Sequence, residues 1–389
     1  MATASPRFVR IPSLLEQMYL DGAKLGYNFA PRAYVKIDRS PVRSTLEDAL
    51  SRLTDALPHL NICYQGAAWR RALTPCQFHW IESDCNDVMQ VQIPAINWRK
   101  HTMSLSVIYL KQTQEWYLCF SLFHGAGDGY TLTNLMYAFF AALNKELTED
   151  YDFSMDEHDF PDHSGQKSIT IPIKPACSPI KSGRPHRLFR IARTEGAPYL
   201  PTSLLCRPLS ALVSAKKAVM VIPVNMRRYC QPGNKIRMGN LVSLLFLDTA
   251  GKTVNQLRAE IRTHATQADL PIFKRAATRL YRAIPGGLRR LIFRSYAVKI
   301  RRSGKTPMVA LVSNVGKVLP SALRSKDFHA EDCWFSFENL PLFAVTLITS
   351  SFGDHTNTCI STHYSSISED TIQRFANQVS AMDVQSALR

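Results

Sequence analysis

The chain has 389 residues, 46% of them hydrophobic, and a formal net charge of +16. That length supports a large core divided between two lobes, and that charge favours anionic partners: a phosphorylated cofactor, nucleic acid, an anionic membrane or an acidic carrier protein. No RNP motif, zinc-finger spacing or Walker loop is present, which argues against nucleic acid.

The nine cysteines include no C-x-x-C pair, and Cys119, Cys206 and Cys359 lie in apolar runs, so reduced core residues are expected. Residues 1–12 hold two arginines but no apolar segment of signal-peptide length, and no apolar run reaches about 18 residues. A soluble, cytoplasmic protein is expected.

Residues 13–20 are a short helix candidate and residues 33–38 a strand. Ser44-Thr45-Leu46-Glu47 reads as a capping box, and Leu46, Ala49, Leu50, Leu53 and Leu57 mark one face of the helix it opens. That helix closes at Leu57-Pro58-His59-Leu60, where His59 is expected to have no chemical role. Residues 60–100 read as short strands and turns. Residues 103–110 and 116–123 then form a hairpin.

The second strand of the hairpin delivers Phe123-His124-Gly125-Ala126-Gly127-Asp128-Gly129. A helix follows, with Leu132, Leu135, Met136, Phe139, Phe140 and Leu143 at helical spacing. The three glycines are expected to supply backbone angles that other residues resist, so that the chain turns sharply. A histidine held there is fixed at its base and projects its imidazole into a cavity. With an unperturbed pKa near 6.5 it suits general-base work. The carboxylate four residues on can fold back under the ring or brace the loop through a cation.

This stretch resembles the active-site motif of the chloramphenicol-acetyltransferase-like superfamily, which includes alcohol acyltransferases, wax ester synthases, plant H-x-x-x-D acyltransferases and the condensation domains of nonribosomal peptide synthetases. The resemblance implies an α/β fold of two lobes, each a mixed sheet flanked by helices, with an active-site tunnel between them. It implies His124 as general base, with Asp128 and Gly129 completing the motif.

Residues 146–162 carry eight acidic side chains, and prolines follow at 172, 175, 179 and 185. This composition suits a crossover rather than regular structure. It places a boundary near residue 180, giving an N-terminal lobe of residues 1–180 and a C-terminal lobe of residues 181–389. The acidic run reads as solvated surface and not as a metal site.

In the second lobe a helical stretch over 201–215 leads into a strand over 218–222. Pro223-Val224-Asn225-Met226-Arg227-Arg228 and then Gly239-Asn240 resemble the family's central segment, whose arginine pairs with the motif aspartate. Carried over, Arg227 pairs with Asp128, and Asn225 joins the candidate substrate-binding residues. An arginine fork can hold a carboxylate through two charge-assisted hydrogen bonds.

Residues 274–305 contain eleven Lys or Arg and no acidic residue, interleaved with apolar residues and broken at Pro285-Gly286-Gly287. Three readings stay open for these amphipathic helices: a solvated face, an anion-binding face for CoA phosphates or an acidic carrier helix, and a membrane-surface contact. Next, a strand from Val309 ends in Ser313-Asn314-Val315-Gly316, resembling segments near the reaction tunnel of the condensation and alcohol-acyltransferase branches. Ser313 and Asn314, with Gly316, either bind a developing oxyanion or the donor's pantetheine arm, or simply form a turn. Residues 342–351 and 358–364 read as strands around Gly353-Asp354, with a helix from Ser368; His363 is expected to be structural.

Two departures narrow the branch. Condensation domains that form peptides usually carry two adjacent histidines, and here the first position is Phe123. The plant branch carries D-F-G-W-G, and the closest stretch, Phe335-Ser336-Phe337-Glu338-Asn339, does not match it. The expectation is therefore a stand-alone acyltransferase that moves an acyl group from acyl-CoA to a hydroxyl or amine, with no metal and no tightly bound cofactor. The alternatives are a condensation-type enzyme whose phosphopantetheine-linked donor sits on an acidic acyl or peptidyl carrier protein, and a non-catalytic binding module on the same fold.

Overall fold

The computed structural model describes residues 8–57, 62–72, 76–155, 177–179, 188–205, 209, 219–229, 235–266, 275–303, 305–338, 342–362 and 367–382. Cys206, His59, His363, most of the 146–185 crossover and the boundary near residue 180 lie outside them. Cys63, Cys76, Cys85, Cys119, Cys333 and Cys359 are free thiols.

Seven helices matter for the site: α1 (Leu14–Ala23), α2 (Arg43–Ala56), α3 (Gly129–Asn144), α4 (Val254–Thr266), α5 (Arg275–Ala283), α6 (Gly286–Ser303) and α7 (Glu369–Ser380). The capping box belongs to α1. Ser13 Oγ accepts from Glu16 N at 3.3 Å, and Glu16 Oε2 accepts from Ser13 N at 2.9 Å. The box expected at Ser44–Glu47 does not form. Helix α2 begins two residues earlier than that box requires, Val42 is its N-cap without a side-chain bond, and the Glu47 carboxylate takes Arg43 Nε at 2.9 Å instead.

Eleven strands form the two large sheets, apart from short strands in smaller ones. Four are early: β1 (Arg32–Ile37), β2 (Gln77–Ser83), β3 (Met103–Leu110) and β4 (Glu115–Leu122). The other seven are β5 (Leu188–Thr194), β6 (Val219–Asn225), β7 (Val242–Asp248), β8 (Met308–Val318), β9 (Ala330–Ser336), β10 (Phe343–Phe352) and β11 (His355–Thr362). They build two mixed sheets, ordered β9-β1-β4-β3-β2 and β5-β11-β10-β8-β6-β7. Strand β9 modifies the simple division of the chain: a strand from the second half pairs antiparallel with β1 and completes the first sheet. The lobes are therefore tied by sheet hydrogen bonds as well as by packing.

Two cores match the two sheets. The first packs Leu46, Leu50 and Leu53 of α2 and Leu135, Phe139 and Phe140 of α3 on the first sheet, with Phe120 edge-on to Phe139 at 5.3 Å. The second packs Leu257 of α4 and Ile372, Phe375 and Val379 of α7 on the other sheet. Leu311 and Val315 of β8 lean against the first core, so β8 contacts both lobes.

The turn between β4 and α3 carries His124. Its glycines do not act through unusual dihedrals, because the positive-φ glycines are elsewhere. They act through space. A Cβ on Gly125 would stand 2.5 Å from Phe123 Cε1, and one on Gly127 would stand 2.6 Å from Thr131 Cγ2 and 2.8 Å from Leu122 Cδ2. The loop folds flat against its own strand and helix, and only hydrogen fits. Gly127→Ala is expected to destabilise the fold by about 1–3 kcal/mol through overpacking, measured by urea unfolding. An unchanged midpoint would show that the loop has room to spare.

Candidate active site

His124 is held on every side but one. Its backbone N–H donates to the Phe29 carbonyl at 2.7 Å, and its own carbonyl accepts from Asn240 Nδ2 at 2.9 Å. The imidazole stacks on Tyr19 of α1, with centroids 4.3 Å apart and planes 18° from parallel. The Phe337 ring meets it edge-on at 5.2 Å. Nδ1 lies 3.1 Å from the Gly127 carbonyl oxygen. Asn240 Nδ2 also stands 3.3 Å from Nδ1, but it already donates to the His124 carbonyl at the shorter distance of 2.9 Å. The nearer Gly127 carbonyl, which only accepts, therefore favours the ring proton on Nδ1 and a lone pair on Nε2. Burial pushes the histidine pKa below its ordinary 6.5, with the Asp128 charge opposing the shift. That environment favours the neutral ring.

Asp128 borders the same cavity but spends its hydrogen bonds on other partners than that ring. It is the N-cap of α3, and each carboxylate oxygen accepts twice. Oδ1 takes Thr131 N at 3.0 Å and Arg227 Nη2 at 3.1 Å; Oδ2 takes Arg227 Nη1 at 2.7 Å and Leu241 N at 3.1 Å. These donors, the arginine first, hold its pKa below the usual carboxylate range against the effect of burial. Of the two arrangements open to the carboxylate, the structure has the brace through a cation.

Arg227 is equally committed. Nε donates to the Arg237 carbonyl at 2.6 Å, Nη2 to the Gly239 carbonyl at 2.7 Å and Nη1 to Asn225 Oδ1 at 3.2 Å. Its guanidinium also lies over the Tyr130 ring, 4.4 Å from the centroid. Gly239 reaches this knot with φ +110, a conformation that side chains resist. Asn225 therefore supports Arg227 and does not reach the cavity.

His124 borders a cavity of about 210 Å³ between the lobes. Tyr19 and Phe29 come from the first lobe, Phe246 and Leu311 from the second, and Phe293 and Ile300 from α6. The wall is overwhelmingly apolar. Gly129 and Ser313 also border it.

Asn314 and Gly316 stand differently from the expectation. Strand β8 does not end in Ser313-Asn314-Val315-Gly316 but runs through it to Val318, with a bulge where Gly316 takes φ +96. Asn314 spends its amide on that bulge: Nδ2 donates to the Leu200 carbonyl at 3.3 Å and Oδ1 accepts from Gly316 N at 2.9 Å. Neither residue borders the cavity.

Sequence reasoning missed Tyr19, Phe337 and the contact of Asn240. Tyr19 lies about a hundred residues from the motif on a short helix, and nothing in its neighbourhood marks it. Phe335-Ser336-Phe337 was passed over because it failed a family pattern, yet all three border the cavity. Among the described residues, Glu195, Asp354 and His355 are near enough to share an ion, but His355 Nε2 already meets Asp332 at 3.0 Å and the two acids are exposed.

No protein-family model matches the sequence, and no curated protein matches it. Solved structures do. The condensation domain from Monacolin K polyketide synthase MokA aligns over 99% of both chains at 13% identity, with a TM-score of 0.62. The starter condensation domain of rhizomide synthetase RzmA, in complex with C8-CoA and Leu-SNAC, aligns over 98% of this chain and 95% of its own at 12% identity, TM-score 0.61. Polyketide synthase associated protein 5 from Mycobacterium tuberculosis aligns over 98% and 100% at 11% identity, TM-score 0.56. Two mixed sheets with a cavity between them, matched end to end, give this chain the two-lobed chloramphenicol-acetyltransferase-like fold of the condensation domains.

Proposed function

We propose that the protein is a condensation-type acyltransferase that moves an acyl group from an acyl thioester, acyl-CoA in the first instance, to a hydroxyl or amine. One observation carries this reading: a buried imidazole, with Nδ1 tied to the Gly127 carbonyl, borders an apolar interlobe cavity suited to an acyl chain. The C8-CoA bound by the RzmA domain supports a CoA thioester as donor on this fold.

In this mechanism His124 Nε2 takes the proton from the acceptor O–H or N–H as the acceptor atom attacks the thioester carbonyl carbon. The carbonyl becomes a tetrahedral oxyanion. Ser313 Oγ and the Gly129 and Tyr130 N–H groups that open α3, which have no intrahelical acceptor, are the donors available to it. Collapse breaks the C–S bond, and the imidazolium returns its proton to the leaving thiolate. Asp128 takes no proton in this sequence, since all its acceptor sites are filled; it and Arg227 hold the loop.

A donor on a carrier protein is the second reading. The net charge of +16 favours it as much as it favours CoA phosphates, and the MokA and RzmA neighbours are condensation domains of a synthase and a synthetase.

The direct test is thiol release from a panel of acyl-CoAs, with and without pooled alcohols and amines. Acceptor-dependent release is expected, with His124→Ala lowering kcat by about 10²–10⁴-fold. Release that survives the substitution would make His124 structural and remove the mechanism.

A pH profile supplies a second check. The base must be neutral, and burial lowers its pKa, so kcat/KM should be flat at neutral pH and fall only below the ordinary histidine value of 6.5. A limb centred above 6.5 would contradict the assigned environment.

Arg227→Met should destabilise the protein by about 3–5 kcal/mol, because it strands a buried carboxylate. Asp128→Asn combined with Arg227→Met should recover part of that loss in urea unfolding. Additive losses would mean that the pair is not coupled.

A further inference from the structure

Helix α6 has two working faces. Phe293, Tyr296, Ala297 and Ile300, spaced three and four apart, line the interlobe cavity. Half a turn away, Leu288, Leu291 and Val298 point outward at 49%, 58% and 37% exposure, flanked by Arg294, Lys299 and Arg302. Ile292 and, on α5, Leu280 are exposed beside them. Five of the eleven large apolar side chains exposed among the described residues thus lie on this one hairpin, where scattered exposure would need no explanation.

The basic residues divide in the same way. Those that face inward are bonded: Arg289 Nε donates to Asp21 Oδ2 at 2.7 Å and its Nη1 to the Ile284 carbonyl at 3.0 Å, while Arg282 donates to the Pro12 carbonyl. Tyr281 Oη joins the same Asp21 oxygen at 3.1 Å. Asp21 is fully buried on α1, the helix whose Tyr19 stacks on His124. The hairpin is therefore latched to the helix that carries the histidine's ring partner. Outward, Arg294, Lys299 and Arg302 form no ion pair among the described residues, and residues 274–305 contain no acid to neutralise them.

We propose that the outer face of the α5–α6 hairpin docks the protein on an anionic lipid bilayer. Exposed leucine, isoleucine and valine enter the headgroup boundary, and arginine and lysine bind lipid phosphates. An acidic carrier protein would answer the charge but would leave the apolar stripe without a role. Among the described residues no helix is long and apolar enough to cross a membrane, so the contact is adsorption at the surface. Because the same helix is the cavity wall, a bound bilayer lies one helix thickness from the site. A lipid-borne acyl donor or acceptor then follows, a consequence that rests on the acyltransferase reading, while the docking itself does not.

Co-sedimentation of the full chain with vesicles tests the docking. Binding is expected to phosphatidylcholine mixed with phosphatidylglycerol and not to phosphatidylcholine alone, and it should weaken with added salt. Arg294→Glu/Arg302→Glu should weaken it by at least about fivefold per residue changed. Leu288→Ser/Leu291→Ser should lose the binding that survives salt. All four positions are exposed, so an unchanged thermal melt checks that the variants are folded. His124→Ala should bind as the wild type does, which separates failure of this inference from failure of the proposed chemistry. No binding to anionic vesicles, or binding indifferent to both double variants, overturns the proposal. Binding to an acidic carrier protein instead, lost in the same variants, reassigns the face to a carrier and overturns it equally.

Discussion

The ion pair between Asp128 and Arg227 is the constraint on which the site depends. It joins residues 99 apart in sequence and spans the lobes. A buried pair of this kind gains little net stability, because both ions lose their water, but it allows few alternatives. The carboxylate caps α3, takes the fork of Arg227 and receives Leu241 N, while the arginine holds the carbonyls of Arg237 and Gly239. Moving any one of these segments would strand a charge or a carbonyl. Loop, helix and second lobe are thus fixed together.

That commitment shapes what His124 can do. In H-x-x-x-D spacing the carboxylate could have served the imidazole directly. Here it is saturated elsewhere, and the Gly127 carbonyl orients the ring instead. Burial outweighs the Asp128 charge and the Gly127 carbonyl contact, both of which raise the histidine pKa, and the net shift is downward, favouring the neutral ring. Tyr19 and Phe337 close its faces and restrict it to one orientation.

The cavity is bounded by pieces of the chain that are remote in sequence, from α1 to β10, and its outer wall is a helix with an exposed apolar and basic back. Strand β9 adds a second tie by returning to the first sheet. With both ties in place the lobes enclose the cavity as a shared interior. The acyl chain, in the proposed chemistry, lies where the lobes meet.

What the sequence determined by itself was local. The hairpin β3–β4, helix α3 and the position of His124 between them follow from alternation, helical spacing and a glycine-rich turn. The split of the basic segment at Pro285-Gly286-Gly287 follows from residues that end helices. The pairing of Arg227 with Asp128 was reachable only through resemblance, because no local rule joins positions 99 apart. Tertiary structure decided the rest. Glycines 125 and 127 are needed for closeness to Phe123, Thr131 and Leu122 rather than for backbone freedom, which a sequence cannot express. Asn314 belongs to a bulge and not to the cavity, and Tyr19 belongs to the cavity though nothing near it says so. The cause is the same in each case: periodicity assigns a residue to a face, but what that face meets is set by segments far away in the chain.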